Sequence, residues 1–225
     1  MKTMRVFILV GFALLLASCK QGQKPEPFPE ELTKLERLYR IRPDSVMKHY
    51  DLSNDSLVEF PDLSRYVIAS LDLSHNWLDT IIPERLPLGI EWLNLSHNRL
   101  KGRLWIEDGS IPTLRELDLS HNSLKNVSIG EDLYRIIVPY NHLKAITFSH
   151  KYIRFLDISY NSELSEWMDF DPSEIDTIVR DGVADGKPLR FKIPGIITCT
   201  AEDIFGPGVR MVDADSLREE TTKED

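Results

Sequence analysis

The sequence predicts an α/β repeat fold, a solenoid of stacked coils in which each coil contributes one short strand, and three observations support this. A pattern of alternating leucines that ends in Asn-x-Leu recurs along the chain. Its asparagines are 22, 24, 19 and 20 residues apart, which fits a protein built from structural repeats. Hydrophobic residues make up 42% of the 225 residues, so the chain can bury a core and is not wholly disordered.

The repeated segment itself carries the fold. Three copies are close, LDLSHNWL at 71–78, LNLSHNRL at 93–100 and LDLSHNSL at 117–124, and two are weaker, IIVPYNHL at 136–143 and LDISYNSEL at 156–164. Alternating leucines put one face of a short strand into the core and leave the intervening residues facing outward.

The pattern resembles the leucine-rich repeat, LxxLxLxxNxL. The resemblance implies a right-handed solenoid with one curved parallel sheet. It also implies a ladder of buried asparagines whose amides bond backbone groups of their own and the neighbouring coil. The predicted ladder consists of Asn76, Asn98, Asn122, Asn141 and Asn161.

The repeats occupy residues 50–180, and the flanks are predicted from changes in pattern. Residues 50–57, YDLSNDSL, resemble a degenerate copy with Asp55 in place of the asparagine, and residues 173–180 suggest one more coil. Residues 30–49 have leucines at helical spacing and are predicted as a short helical N-terminal cap. Residues 181–212 are predicted as a small C-terminal β cap, and residues 213–225 as an acidic disordered tail.

The N-terminus has the charge order of an export signal. Lys2 and Arg5 precede the apolar stretch Val6–Ala17, which is too short to span a bilayer. The segment Leu16-Ala17-Ser18-Cys19 resembles the lipobox of bacterial lipoproteins. An ordinary signal peptide with an incidental cysteine is the alternative.

The lipobox resemblance implies that residues 1–18 are a signal peptide, that Cys19 is lipidated and that residues 19–29 hold the domain off the membrane. Palmitate is the expected acyl group. Lys20 is not the aspartate that retains such proteins in the inner membrane, so we expect an outer-membrane location in the cell envelope, with either leaflet open. Five Asp-Ser/Thr-apolar triplets resemble the acceptor of Bacteroidetes protein O-glycosylation and suggest such an origin; they begin at Asp44, Asp55, Asp79, Asp176 and Asp215.

The charge balance limits the class of partner that the chain is expected to bind. The chain has 27 basic and 36 acidic residues, a net charge of −9, and nucleic-acid binding needs clustered bases, so no nucleic-acid partner is expected. Two cysteines exclude a disulfide-dense scaffold.

The outward strand residues form the predicted binding surface, because the resemblance implies that they line the concave recognition face. Registering the copies gives three outward columns: Ser70, Trp92, Glu116, Arg135 and Phe155; Asp72, Asn94, Asp118, Ile137 and Asp157; Ser74, Ser96, Ser120, Pro139 and Ser159. Large apolar side chains on a solvated strand face indicate a binding surface, and Trp92, Ile137 and Phe155 are such side chains. Together with Glu116, Arg135 and the Asp/Asn column they are the predicted ligand-binding residues, although a flanking loop that covers the rings is the alternative.

Geometry adds three expectations about this surface. Trp92 and Phe155 are three strands apart and bracket about 14 Å, which suits a peptide segment or a few sugar rings. Arg135 lies one strand from Phe155 and is expected to stack on it. Pro139 cannot donate to a strand ladder and is expected to end its strand early.

Other residue clusters give only weak support for a metal site, a calcium site or a catalytic site. His75, His97 and His121 occupy one position of successive coils, followed by Tyr140 and Tyr160; Ser-His-Asn is a frequent filling of this turn, so a metal site is not expected. Asp169, Asp171, Glu174 and Asp176 lack the glycine-centred spacing of a calcium loop. No GxSxG, HExxH or GxxxxGK[ST] motif occurs, so neither catalysis nor a cofactor is predicted.

The sequence therefore predicts a lipid-anchored cell-envelope protein, not an enzyme, that binds a protein or glycan partner through its concave sheet. A structural periplasmic scaffold is the first alternative. An envelope hydrolase, with a site near Cys199 or the acidic segment 169–176, is the second.

Overall fold

The computed structural model describes residues 32–148, 153–164, 175–179, 190–191, 199–200 and 210–212. The chain divides into two units, Met1–Leu32 and Thr33–Asp225, and every described helix and strand belongs to the second. The predicted signal peptide, lipidation site and tether, residues 169–174 of the acidic segment and the acidic tail lie outside the described residues.

A parallel sheet of eight strands forms the main body of the second unit, and the chain adds its strands in order. The strands are β1 (Val46–Asp51), β2 (Val67–Asp72), β3 (Trp92–Asn94), β5 (Glu116–Asp118), β7 (Arg135–Ile137), β9 (Ile153–Asp157), β10 (Ile175–Val179) and β13 (Arg210–Val212). Each pairs in parallel with its neighbours. This is the architecture of a parallel solenoid, as predicted.

A second parallel sheet lies in the other part of the coils, and the sequence analysis did not predict it. It consists of β4 (Lys101–Ile106), β6 (Ser123–Ile129) and β8 (Ala145–Phe148), in that order. Inward side chains such as Leu104, Val127 and Ile146 join the core. A further antiparallel pair, β11 (Arg190–Phe191) and β12 (Cys199–Thr200), falls in the segment predicted as a β cap.

The N-terminal helix is much shorter than predicted. Helix α1 (Lys34–Tyr39) begins with a capping box between Thr33 and Glu36. The helical cap was predicted over residues 30–49 with a break and a new N-cap at 43–45. The part after the break is wrong, because residues from Val46 onward form β1 and pair with β2. Only one further helical segment, the 3-10 turn Pro83–Arg85, occurs in the described ranges.

Asp55 explains how the first coil joins this helix. In the later coils the equivalent position is the ladder asparagine, whereas the Asp55 carboxylate accepts hydrogen bonds from the backbone nitrogens of Lys34 and Leu35, both at 2.9 Å. A carboxylate at a helix N-terminus binds the otherwise unpaired first N–H groups. The substitution thus fits a coil that is covered by a helix instead of another coil.

The core is a continuous column of leucines and isoleucines, crossed by the asparagine ladder. Leu71, Leu93, Leu117, Ile136 and Leu156 are fully or almost fully buried at the equivalent strand position of five coils. The ladder is confirmed: each asparagine amide nitrogen donates to carbonyls of its own and the preceding coil. For Asn76 these are Leu73 and Ser74 at 3.0 and 3.1 Å, and Leu52 at 2.8 Å.

Candidate functional site

The first outward column forms one row across the main sheet. Trp92, Glu116, Arg135 and Phe155 are direct partners on four successive strands. The row continues through Ser70 to His49 at one end and to Thr177 at the other. All four central side chains are half-buried, so each packs against its neighbours and still has an accessible part.

Aromatic and charged groups in this row are in contact. The Arg135 guanidinium carbon lies 4.3 Å from the centre of the Phe155 ring, which confirms the predicted stacking. The Arg135 Nε atom lies 3.7 Å from Glu116 Oε2. The Arg135 head group is therefore held between a ring and a carboxylate.

Two residues that the sequence analysis missed extend the site. The Tyr134 hydroxyl donates a hydrogen bond to Glu116 Oε1 at 3.1 Å, and this bond, more than burial, raises the tyrosine's pKa. The His49 ring lies 6.5 Å from the Trp92 ring, centre to centre, and its Nδ1 is 3.0 Å from Ser70 Oγ. His49 was missed because its segment was assigned to a helix; the β-branched and aromatic residues of β1 were the signal for a strand.

The second outward column has a structural role. The Oδ1 atoms of Asp72, Asn94, Asp118 and Asp157 each accept a hydrogen bond from the backbone nitrogen two residues on, at 2.8–2.9 Å. This local bond is the Asx turn that ends each strand. It accounts for the Asp/Asn type at these positions without a ligand, although each side chain stays half-exposed.

The third column was wrongly predicted to face outward. Ser74, Ser96, Ser120 and Ser159 are 2–8% exposed, and Pro139 is buried as well. Strict alternation fails here because β3, β5 and β7 are only three residues long and the chain turns inward after the Asx residue.

Pro139 does not shorten its strand, contrary to prediction. Strand β7 ends at Ile137, at the position where β3 and β5 end. In this coil the donor N–H is absent because of Pro139, and the acceptor is absent because Ile137 replaces the Asx residue. The two changes compensate, so no backbone N–H at this turn loses its partner.

The histidine column is a continuous stack of rings. His75, His97, His121, Tyr140 and Tyr160 lie face to face with centres 4.0–4.3 Å apart and planes within 12°. Each has a φ of 52–54°, the left-handed conformation that residues other than glycine seldom adopt. Ring faces that stack on each other are unavailable to a ligand, which leaves their edges accessible.

Two features, a cluster of metal-ligating side chains and a long apolar helix, are absent from the described ranges. Among those residues no group of three or more His, Cys, Asp or Glu side chains is placed to hold a metal ion. Within the same ranges no helix has the length and apolarity needed to traverse a bilayer.

Comparison with known proteins agrees with the geometry. The Leucine Rich Repeat family model matches residues 68–87 and 113–135. These are leucine-rich repeats. The solenoid of parallel strands with buried asparagines is the fold of that repeat.

Two relatives match part of the chain. Receptor-like protein CLAVATA2 of Arabidopsis thaliana is 48% identical over 65 residues, 28% of this chain and 9% of that protein. Adenylate cyclase of Schizosaccharomyces pombe is 33% identical over 122 residues, 51% of this chain and 7% of that protein. The chain thus spans less than a tenth of either relative. No solved structure matches the chain.

Leucine-rich repeats generally bind protein partners and are typically non-catalytic, because the open strand face offers a broad surface without an enclosed cleft. The row from Trp92 to Phe155 lies on that face.

Proposed function

We propose that this chain is a lipid-anchored cell-envelope protein that binds a protein or glycan partner through the concave face of its main sheet. The proposed site consists of Trp92, Glu116, Arg135, Ile137 and Phe155, and the second column, Asp72, Asn94, Asp118 and Asp157, forms its floor. One observation carries the proposal: two rings bracket a charged pair in a single register row of four strands.

The physical case rests on preorganisation. Trp and Arg are the residue types that most often dominate binding energy at protein interfaces. Arg135 already has a fixed position against Phe155 and Glu116, so little side-chain entropy remains to be lost on binding. Ile137 lies two residues from Arg135 on β7, on the same face, and adds apolar area beside the cation.

The test is a pull-down from envelope extracts and glycoprotein fractions with the protein and its Trp92→Ala/Phe155→Ala variant. A partner that the parent protein retains and the variant loses supports recognition by this face. Trp77→Ala is the matched control, because Trp77 is 49% exposed and packs against Arg99 at 5.0 Å, outside the row. If the double variant still retains the partner and the Trp77→Ala control does not, the result contradicts the proposed site.

The lipid anchor and the outer-membrane location are separate parts of the proposal, supported by Lys2, Arg5 and the Leu16–Cys19 segment. Incorporation of labelled palmitate by the parent protein and its loss in Cys19→Ala would support lipidation. Equal labelling of both would contradict it. Protease treatment of intact cells separates a surface receptor from the periplasmic scaffold, since only a surface domain is digested.

Catalysis is not part of this proposal. The match to adenylate cyclase covers 7% of that protein and carries no assignment of activity. The hydrolase alternative requires a hydrolytic activity that depends on Cys199 or the segment 169–176. An activity lost in Cys199→Ala would revive that alternative.

A further inference from the structure

Three lysines cluster near the start of the three strands of the second sheet, on a different surface from the site proposed above. The tetrads NRLK, NSLK and NHLK occur in three successive coils and place Lys101, Lys125 and Lys144 directly after a buried leucine. All three lysines are exposed. The Lys144 backbone nitrogen donates to the Lys125 carbonyl at 2.7 Å, so Lys144, directly before β8, lies beside Lys125 of β6.

This lysine cluster is unusual for a chain with a net charge of −9. Like charges on neighbouring strands repel each other and destabilise a sheet unless a counter-charge is present. Lys101 has Asp79 at 3.7 Å, and Lys144 has Glu163 at 3.3 Å, so the two ends are paired. Lys125, in the middle, has no ion pair with any residue that the structure describes.

Arg103 adds a second uncompensated cation, since it too lacks an ion pair within the described ranges. It lies on β4 beside Asn126 of β6, and Asn126 lies beside Ala145 of β8. Lys125 immediately precedes Asn126, at an irregularity of the ladder where β6 has an extra residue. Both cations therefore border the same part of the sheet.

An exposed ring and a polar floor complete this surface. Trp105, two residues after Arg103, is 63% exposed. It pairs with Ser128 of β6, which in turn pairs with Thr147 of β8. A groove of about 260 Å³ lies over Arg103, Asn126, Ser128 and Thr147. A second, of about 310 Å³, lies on the other side of Arg103, between Lys101, Trp105 and the segment 79–81.

We propose that this surface, defined by Lys101, Arg103, Trp105, Lys125 and Lys144, binds an acidic polysaccharide with a carboxylate on successive sugars. Arg103 on β4, Lys125 on β6 and Lys144 directly before β8 lie at neighbouring register positions. Adjacent strands are ~4.8 Å apart, comparable to the length of one pyranose ring, so successive carboxylates can meet these three cations. Trp105 provides an apolar face for a sugar ring, and Ser128, Thr147 and Asn126 provide hydrogen-bonding groups for hydroxyls.

An acidic peptide fits this surface less well. The floor of the groove is polar and lies over β6 and β8, and β6 is the central strand, with both edges already paired. A peptide on this face therefore finds no strand edge to extend, because the outer edges of β4 and β8 lie at the sides of the described sheet and not over its face. Charge and ring stacking are available without an edge, and a sugar chain uses both.

The experiment is calorimetric titration of the full chain with oligogalacturonate, with the fully methyl-esterified oligomer and with polyglutamate of matched charge. We expect binding of the acid that weakens as salt rises, and at least about tenfold weaker binding of the neutral ester. The ester comparison needs no variant, so it stands even if a substitution disturbs folding.

Variants then locate the site. Arg103→Gln/Lys125→Gln and Trp105→Ala should each weaken oligogalacturonate binding at least about tenfold. The matched control, Arg42→Gln/Lys48→Gln, removes the same charge from exposed residues away from the second sheet and should bind normally. No binding by the parent protein, equal binding by the double variant, or tighter binding of polyglutamate would each overturn the proposal. The Trp92→Ala/Phe155→Ala variant should bind oligogalacturonate normally, so failure here and failure of the main-sheet site are distinguishable.

Discussion

Replacing Asn122 by alanine tests whether the asparagine ladder holds neighbouring coils together. Asn122 lies in the middle of the repeats and makes four side-chain hydrogen bonds, three through its amide nitrogen and one through its oxygen. The oxygen accepts from the backbone nitrogen of Leu100, in the preceding coil, at 3.0 Å. Alanine removes all four bonds and leaves the helix, strands and leucines unchanged.

The magnitude follows from which backbone groups lose their last partner. The carbonyls that Asn122 binds each have a second donor: Asn98 for Leu95, Asn141 for Leu119 and the His97 nitrogen for Ser120. Only the Leu100 N–H, which is buried, is left without a partner. One unsatisfied buried donor costs about 1–3 kcal/mol, and the lost side-chain volume adds a smaller amount, so we expect the free energy of unfolding to fall by about 2–3 kcal/mol.

Asn122→Asp separates the acceptor from the donor. Aspartate keeps an oxygen for the Leu100 N–H but points a carboxylate at carbonyl oxygens in a buried place. A buried charge without a donor partner is more costly than a missing bond, so this variant should be less stable than Asn122→Ala at pH 7. Protonation restores one donor, so the gap should narrow at pH 4 to 5.

The assay is urea unfolding followed by circular dichroism, with Asn126→Ala as the control. Asn126 is a half-buried asparagine on the second sheet for which no side-chain hydrogen bond is found among the described residues, so its loss should change stability by less than about 0.5 kcal/mol. Equal stability of the two alanine variants would refute the argument that the ladder satisfies buried backbone groups.

Three other perturbations test separate features. Desolvation and the neighbouring histidines lower the pKa of His97, so below pH ~6.5 the unfolded chain binds the proton more readily than the folded chain, and stability decreases as the pH is lowered. His97→Tyr should therefore make the free energy of unfolding in urea less pH-dependent between pH 7 and 5, and an unchanged pH dependence would refute this. Pro139→Ser alone leaves a buried N–H without an acceptor and should lower the free energy of unfolding by about 1–2 kcal/mol, whereas adding Ile137→Asp should restore most of that loss. Purely additive effects of the two substitutions in a double-mutant cycle would contradict the compensation. Gly130→Ala places a methyl group on the backbone nitrogen of Asp108 and should lower stability by about 1–3 kcal/mol in thermal unfolding; a neutral result would mean that this approach is not tight.

The repeat could be predicted from sequence because its asparagine has a single structural role, which is to bind backbone groups of its own and the neighbouring coil. An asparagine at each ladder position recurs at coil spacing, and the alternating leucines before it fix the register, so the strand order and the row from Trp92 to Phe155 followed. The contact between Arg135 and Phe155 was predicted from strand neighbourhood alone.

Other features depend on interactions that the pattern does not contain. Val46–Asp51 forms a strand because β2 lies beside it, although the leucines just upstream have helical spacing. Ser74 and its equivalents are buried because the strand ends two residues before them, at an Asx turn. The second sheet was missed because its strands lie between repeat signatures; the alternation of Lys101, Arg103 and Trp105 with Gly102, Leu104 and Ile106 was the signal.

The direct alignment of coils also bears on how an array of this kind can change length. The stacked rings and the ladder asparagines recur at the same place in each coil, so cutting the chain after Asn94 and rejoining it at Leu119 removes one whole coil, 24 residues, and reconstructs the sequence Leu-Asn-Leu-Ser-His-Asn. His121 would then follow His75 in the stack, and Asn122 would follow Asn76. A cut that removes only part of a coil breaks both columns at once. Gain or loss of whole coils is thus the length change that this architecture accommodates. Each such change brings different outward side chains next to each other, while the remaining strands stay parallel and in register.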